Sequence, residues 1–488
     1  MGGAGWACVF WLVAWCGCAG LPPVPDKGGP PWLRVETAHF VLFSDLAVSD
    51  ASDTIQTFER LLDGYSKLGW QAQGELPVKL HVVVFAERSH FEVFAPLEVE
   101  GYYVHFGALE PLVVMRNQGQ LDRFRTLKHE LTHHIAYQAL PFQPRWFSEG
   151  LASYFETASF DDEQRFAVGA PPRELVRALG EYGRLRASEL FASEAVDLSP
   201  RFYATSWLLV HYLMSHRADA FVRYQDGLEA GLSHDAAWAA AFPQLSPERV
   251  DALLAEYYAA GQYAFLLQPM AAYAGAAPQA RALGSAEVHA LRAQLFRSCP
   301  ACGPDGHRIA EQHVADALRL EPNNLRASVL RIMKAPKQDQ LPMAQALSAA
   351  HPAAAIAWFM RGLAELGSTE PARCTPETAA RLRELGSTSA HALMLAATCQ
   401  ARAGDGASAR QLSARASRRQ PADTSLLVMH AEVARAIGDC AELDGLVARL
   451  RSALHPRVDP KLIASFETCR SATAATSPPP AAPASAAP

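Results

Sequence analysis

The sequence predicts an α+β domain over residues 32–268, followed by an all-α domain of helical repeats over residues 280–470. Three observations carry this. Short β-rich apolar runs occur up to Met115, apolar residues at helical spacing dominate from Arg125 onward, and the Ala-rich part after residue 280 carries turn residues at near-regular intervals. At 488 residues the chain exceeds one ordinary core, and about 100–200 residues per domain suggests two or three domains.

The first residues differ from the rest. Trp6 to Trp15 is a short apolar run, followed by the small residues Cys16-Gly17-Cys18-Ala19-Gly20 and then by Leu21-Pro22-Pro23-Val24-Pro25, which cannot continue a helix. The run falls short of the roughly 20 residues that span a bilayer as a helix, so residues 1–20 read as a signal peptide, although its n-region has no Lys or Arg. Gly17-Cys18 also resembles the end of a bacterial lipoprotein cleavage site, with Trp15 where Leu is usual. Two expectations stand: plain secretion, or a periplasmic or outer-membrane lipoprotein attached through a lipidated Cys18.

Within the first domain, Trp32 to Ser44 alternates and reads as a strand. Ile55, Phe58, Leu61, Leu62 and Tyr65 place a helix over Ser52 to Leu68. Val78 to Phe85 reads as a buried strand and Leu112 to Met115 as a short one. A helix is expected from Arg125 to Gln138, ended by Pro141 and Pro144, and helices dominate from Ser148 to Ala259.

In the second domain, Pro322, Pro352, Gly386, Pro421 and Pro456 punctuate the helices at intervals close to one tetratricopeptide period. Ala310, Ala317 and Pro322 repeat the internal spacing of Ala409, Ala416 and Pro421, and these positions resemble the small-residue and Pro positions of that repeat. The aromatic positions of the repeat are mostly missing, so an irregular helical domain is the alternative. Cys299, Cys302, Cys374, Cys399, Cys440 and Cys469 all lie here, and an even number in an exported chain suggests disulfides, with Cys299–Cys302, Cys374–Cys399 and Cys440–Cys469 as the near pairs. Residues 471–488 contain only Ser, Thr, Ala and Pro and are expected to be disordered. The net charge of -6 is modest for this length, and the absence of a basic block argues against a nucleic-acid partner.

The chemistry concentrates in His129-Glu130-Leu131-Thr132-His133. Residues four apart on a helix share a face, so His129 and His133 can converge on one metal, with Glu130 placed to reach a water beside it. Leu127, Leu131 and Ile135 lie about 200° around the helix from the ligands, which leaves one face buried and the other on a cleft. Composition alone gives about 0.06 such motifs by chance, so this element is suggestive and needs a second. The second is Trp146-Phe147-Ser148-Glu149-Gly150-Leu151-Ala152-Ser153-Tyr154-Phe155-Glu156.

Together the two segments resemble the gluzincin zinc peptidases, in particular the aminopeptidase N-like group and relatives with a peptidase-MA-like domain. The resemblance covers roughly the first half of the mature chain. It implies a thermolysin-like fold, one zinc ion on His129, His133 and Glu149, Glu130 as general base, and Glu156 as the carboxylate that orients a ligand histidine. Only 15 residues separate His133 from Glu149, fewer than in the aminopeptidases, which points to a divergent member. Tyr203-Ala204-Thr205-Ser206 resembles the aminopeptidase Y-x-x-G segment with Ser for Gly, and implies that Tyr203 donates to the oxyanion. Gly107-Ala108-Leu109-Glu110-Pro111 is similar to the GxMEN strand that binds a substrate amino terminus, but lacks its Met and Asn.

The expected function is therefore zinc-dependent hydrolysis of a peptide or protein substrate, held by strand addition beside Leu112 to Met115. Two alternatives remain open. One is an envelope scaffold whose repeats bind a partner protein while the zinc site is inactive or structural. The other is a non-peptide zinc hydrolase on the same fold.

Overall fold

The computed structural model describes residues 21–67, 79–95, 101–104, 110, 112–117, 125–140, 143–161, 163, 165–192, 199–270, 275–299, 302–421, 423–452 and 459–466. The signal segment with Cys18, most of Gly107 to Pro111, Pro141, Pro456, Cys469 and the 471–488 tail lie outside them. The fold is a mixed α and β unit followed by an all-helical region.

Six strands form the main sheet: β1 (Leu33–Glu36), β2 (Phe40–Ser44), β3 (Leu80–Phe85), β4 (Gly101–Val104), β5 (Leu112–Arg116) and β9 (Gln279–Ala282), in the order β4-β5-β3-β2-β1-β9. Strands β2, β3 and β5 run parallel, while β4, β1 and β9 pair antiparallel with their neighbours. The expected single strand over Trp32 to Ser44 is a hairpin instead. The alternation breaks at Glu36-Thr37, where the Thr37 N–H bonds back to the Phe40 carbonyl and Thr37 to His39 reverse the chain.

Both faces of the parallel strands are buried, which explains their continuous apolar runs. Phe40, Leu42, Val82, Val84, Val113 and Met115 point to one core, and Val41, Phe43, Val83, Phe85, Leu112 and Val114 to another. The first core takes the apolar stripe of α1 (Val48–Lys67). It also takes α3 (Arg125–Ala139) and α4 (Arg145–Phe155), with the short α2 (Arg88–Phe91) on the other face. Farther along come α5 (Arg173–Tyr182), α6 (Ala187–Ala192), α7 (Pro200–His216), α8 (Ala218–Glu229), α9 (His234–Ala241) and α10 (Pro247–Ala260). A second sheet joins β6 (Ser159–Phe160) and β7 (Phe166–Val168), within the stretch where the sequence reads helices as dominant, to β8 (Leu266–Gln268) after it. Two or three residues per strand carry too little alternation to register as a pattern.

The chain then returns to the main sheet. Strand β9 pairs with β1, and α11 (Ser285–Arg297) covers the second face through Val288, Leu291 and Leu295. Residues assigned from sequence to the repeats thus complete the first sheet. From α12 (Gly303–Leu320) onward, helices succeed one another to Phe466. Pro322, Pro352 and Pro421 sit in turns, Gly386 follows a helix, and Ala310, Ala317, Ala409 and Ala416 are fully buried where helices approach. Disulfides join Cys299 to Cys302 and Cys374 to Cys399, and Cys440 is also disulfide-bonded. No helix among the described residues is long and apolar enough to cross a membrane.

Candidate metal centre

Helix α3 is oriented by its apolar side. Leu127, Leu131 and Ile135 are buried in the first core, which turns His129, Glu130 and His133 the other way. Tyr65 of α1 ties the next helix to it: its hydroxyl lies 3.4 Å from the Lys128 carbonyl and 3.5 Å from that of Phe155 at the end of α4. Lys128 adds a hydrogen bond of 2.8 Å to the Ala158 carbonyl.

Across this junction Glu149 meets both histidines. Its Oε2 is 3.4 Å from His129 Nε2 and 3.5 Å from His133 Nε2, and one ligand atom from each residue lies within 4.8 Å of the others. Ligands about 2.0–2.1 Å from one tetrahedral ion are separated by roughly 3.4 Å, so the spacing fits a single small cation. Two imidazoles and one carboxylate also suit zinc in a site that keeps a fourth position open. Among the described residues this is the one group of three such side chains able to hold an ion.

The backs of the histidines are held as well. His129 Nδ1 lies 3.2 Å from Glu156 Oε2, and the other oxygen of Glu156 accepts from Arg125 at 2.7 Å. Arg125 also reaches Glu174 of α5 at 2.8 Å. His133 Nδ1 is 3.0 Å from the Ser148 hydroxyl. Such contacts fix the ring orientation and leave each Nε2 facing Glu149. Sequence reading placed Glu156 here but missed Arg125 and Ser148, which are ordinary residue types with no spacing signal of their own.

Electrostatics point the same way. Burial alone would lower the His129 pKa, but hydrogen bonds to Glu149 and Glu156 and their charges raise it to about 10 without metal. Burial would raise Glu149, yet the charge on His133 and hydrogen bonds from both histidines hold it well below the usual carboxylate range. The centre therefore stabilises positive charge, and an ion would displace a proton on entering. Glu130 is raised by burial and by the Glu149 charge, against the opposing effect of the two histidines.

Tyr203 arrives from α7. Ser199 caps this helix by accepting from the Phe202 N–H, and Pro200 opens it, a strong start signal that puts Tyr203 in the first turn. Helices α4 and α7 nearly touch: a Cβ on Gly150 would lie 2.4 Å from the Ser206 carbonyl oxygen and 2.7 Å from Val210 Cγ2. Gly150 thus permits the approach that brings Tyr203 near Glu149 and Glu130. Burial and those two carboxylates push its phenol well above the ordinary value, so it stays a protonated donor. Gly150→Ala should lower the unfolding free energy by about 1–3 kcal/mol. A denaturation midpoint equal to wild type would mean that the two helices have room to spare.

The strand addition expected beside Leu112 to Met115 is ruled out by the sheet. Strand β5 is paired on both edges, with β3 and with β4, so it cannot accept a further strand. The outermost strand on this side, among those described, is β4, and its Gly101 lies against Thr126 of α3. Sequence missed β4 because its four residues carry a weak alternation.

Residues 123–230 match the model of a family described as a protein of unknown function (DUF1570). That stretch contains His129, Glu130, His133, Glu149, Glu156 and Tyr203, and stops before the helical region. No curated protein matches the chain.

Proposed function

We propose that this chain is a zinc-dependent peptidase with a thermolysin-like catalytic unit of gluzincin type and C-terminal tetratricopeptide-like repeats. The observation that carries this reading is the convergence of His129, His133 and Glu149 at the spacing of one ion, with Glu130 beside them on α3. His129, His133 and Glu149 would hold the ion. Zinc held there would supply Lewis acidity and make an attacking water acidic enough to lose its proton near neutral pH.

The chain's own groups do the rest. Glu130 accepts the proton of the attacking water and passes it to the leaving amine. The Tyr203 hydroxyl donates to the carbonyl oxygen as that oxygen gains charge. An extended substrate pairs with the outer edge of β4, next to α3. The apolar start of the chain supports export, with anchoring through a lipidated Cys18, and the helical region offers a surface to an envelope partner.

The test combines metal content with cleavage of a peptide library by the full mature chain. One zinc per chain is expected, with cleavage abolished by a chelator and restored by zinc. Glu149→Ala should bind zinc substoichiometrically. Unchanged stoichiometry in that variant would remove Glu149 from the ligand set. One tightly held zinc with no cleavage of any peptide would favour the scaffold reading.

A further inference from the structure

Arg145 opens α4, one helical turn before Glu149 and on the same face. Its guanidinium stands 5.9 Å from the ring of Phe202, the neighbour of Tyr203. The register of the two helices agrees: Arg145 is level with Phe202, Gly150 with Ser206 and Val210, and Tyr154 with His211. Arg145 therefore lies at the Tyr203 end of the metal centre, and its charge opposes the rise that burial imposes on that phenol.

Among the described residues this cation has no anion. Arg145 makes no ion pair with a described carboxylate; its guanidinium hydrogen-bonds the Tyr203 side chain, and its Nε is buried without a partner. Two residues earlier, Gln143 is 2% exposed, and neither end of its amide has a partner. The basic groups around it are spent differently: Arg125 serves Glu156 and Glu174, and Lys128 serves a backbone carbonyl. A guanidinium that stands at the Tyr203 hydroxyl, meets no described carboxylate and keeps a buried Nε without a partner leaves a place that an anionic ligand completes. Charge balance gives the sign of that ligand. A divalent ion offsets Glu130 and Glu149, and Arg145 then leaves one positive charge uncancelled. A planar fork of N–H donors matches a carboxylate.

We propose that Arg145 is a specificity-determining residue that binds a substrate carboxylate close to the scissile bond. The proposal rests on the hydrolytic reading of the metal centre. A chain-terminal carboxylate and an Asp or Glu side chain present the same chemistry, so the substrates must separate them.

The test uses four matched peptides: with a free or an amidated C-terminus, and with Glu or Gln beside the cleaved bond. Wild type should favour a carboxylate-bearing peptide by roughly 10–100-fold in kcat/KM, the effect of a hydrogen bond to a charged group. Preference for the free terminus over the amide identifies the chain end; preference for Glu over Gln in the amidated pair identifies a side chain. Arg145→Met should reduce the favoured preference to about threefold or less, and Arg145→Lys should restore part of it. Equal losses on all four peptides, or an intact preference in Arg145→Met, would overturn the assignment.

A second readout does not depend on turnover. Binding of an acetylated dipeptide acid and its amide is measured on zinc-loaded Glu130→Gln protein with and without Arg145→Met. The same carboxylate preference is expected, and its loss with Arg145 separates the guanidinium from the ion, which both proteins retain. Carboxylate-selective binding without cleavage by wild type would sink the peptidase reading and leave Arg145 standing. Equal binding of acid and amide would sink Arg145. Zinc content and melting temperature report whether Arg145→Met has folded, and Arg145→Lys carries the test if it has not.

Discussion

Glu130→Gln should bind zinc as wild type does and lose roughly 10²–10⁴ of its turnover, the usual contribution of a positioned general base. The substitution keeps the shape of the side chain and removes its ability to take a proton. Glu130 lies between His129 and His133 on α3 and is outside the trio at ligand spacing, so the metal should stay. Its amide cannot accept a proton from water, whatever the ion contributes. Zinc analysis and single-turnover cleavage on the same preparation decide the matter. A variant that cleaves at the wild-type rate would remove Glu130 from the mechanism, and a variant that loses its zinc would make it a structural part of the site.

Tyr203→Phe should lower kcat by about 10²–10³ with little change in KM, because the hydroxyl acts on charge that exists only in the transition state. The phenol is kept protonated by burial and by the Glu149 and Glu130 charges, so it is a donor throughout the neutral range. It also stands in the first turn of a firmly started helix, backed by Phe202, Trp207 and Val210 in the core. Removing one oxygen from a partly buried ring should leave melting temperature and zinc content near wild type. A core role predicts the reverse: lower stability and normal turnover of the folded fraction. Measuring both on one preparation separates them, and a fully active Tyr203→Phe would end the oxyanion role.

Much of the centre was legible because helix geometry is local. His129 and His133 share a face whatever the rest of the chain does, and Leu127, Leu131 and Ile135 choose which face is buried. Glu149 and Glu156 were legible only by resemblance, since nothing in the spacing of two helices separated by a proline-containing loop dictates that they meet. Arg125, Ser148 and Arg145 carried no signal at all. Their positions depend on contacts with Glu174 of α5, with His133 and with Phe202 of α7, residues from 15 to 57 positions away. The strands show the same division. The runs of β3 and β5 were readable because both faces are buried, β1 and β2 were read as one strand, and β4, β6, β7 and β8 were too short to form a pattern.

By itself, then, the sequence determined the location of the helix that carries His129 and His133, the face it presents, the buried strands β3 and β5 and the helical character of the second half. These follow from side-chain period and backbone propensity, which act over a few residues. Only the tertiary structure decided that Glu149 comes to 3.4 and 3.5 Å from the two histidines, that Glu156 and Ser148 hold their backs, and that β4 rather than β5 is the outer of the described strands. It also decided that β9 and α11 close the first sheet. The reason is physical. Pairing and packing between segments are set by which buried surfaces fit when the whole chain has collapsed, and a close approach such as that of Gly150 to Ser206 has no trace in either segment read alone.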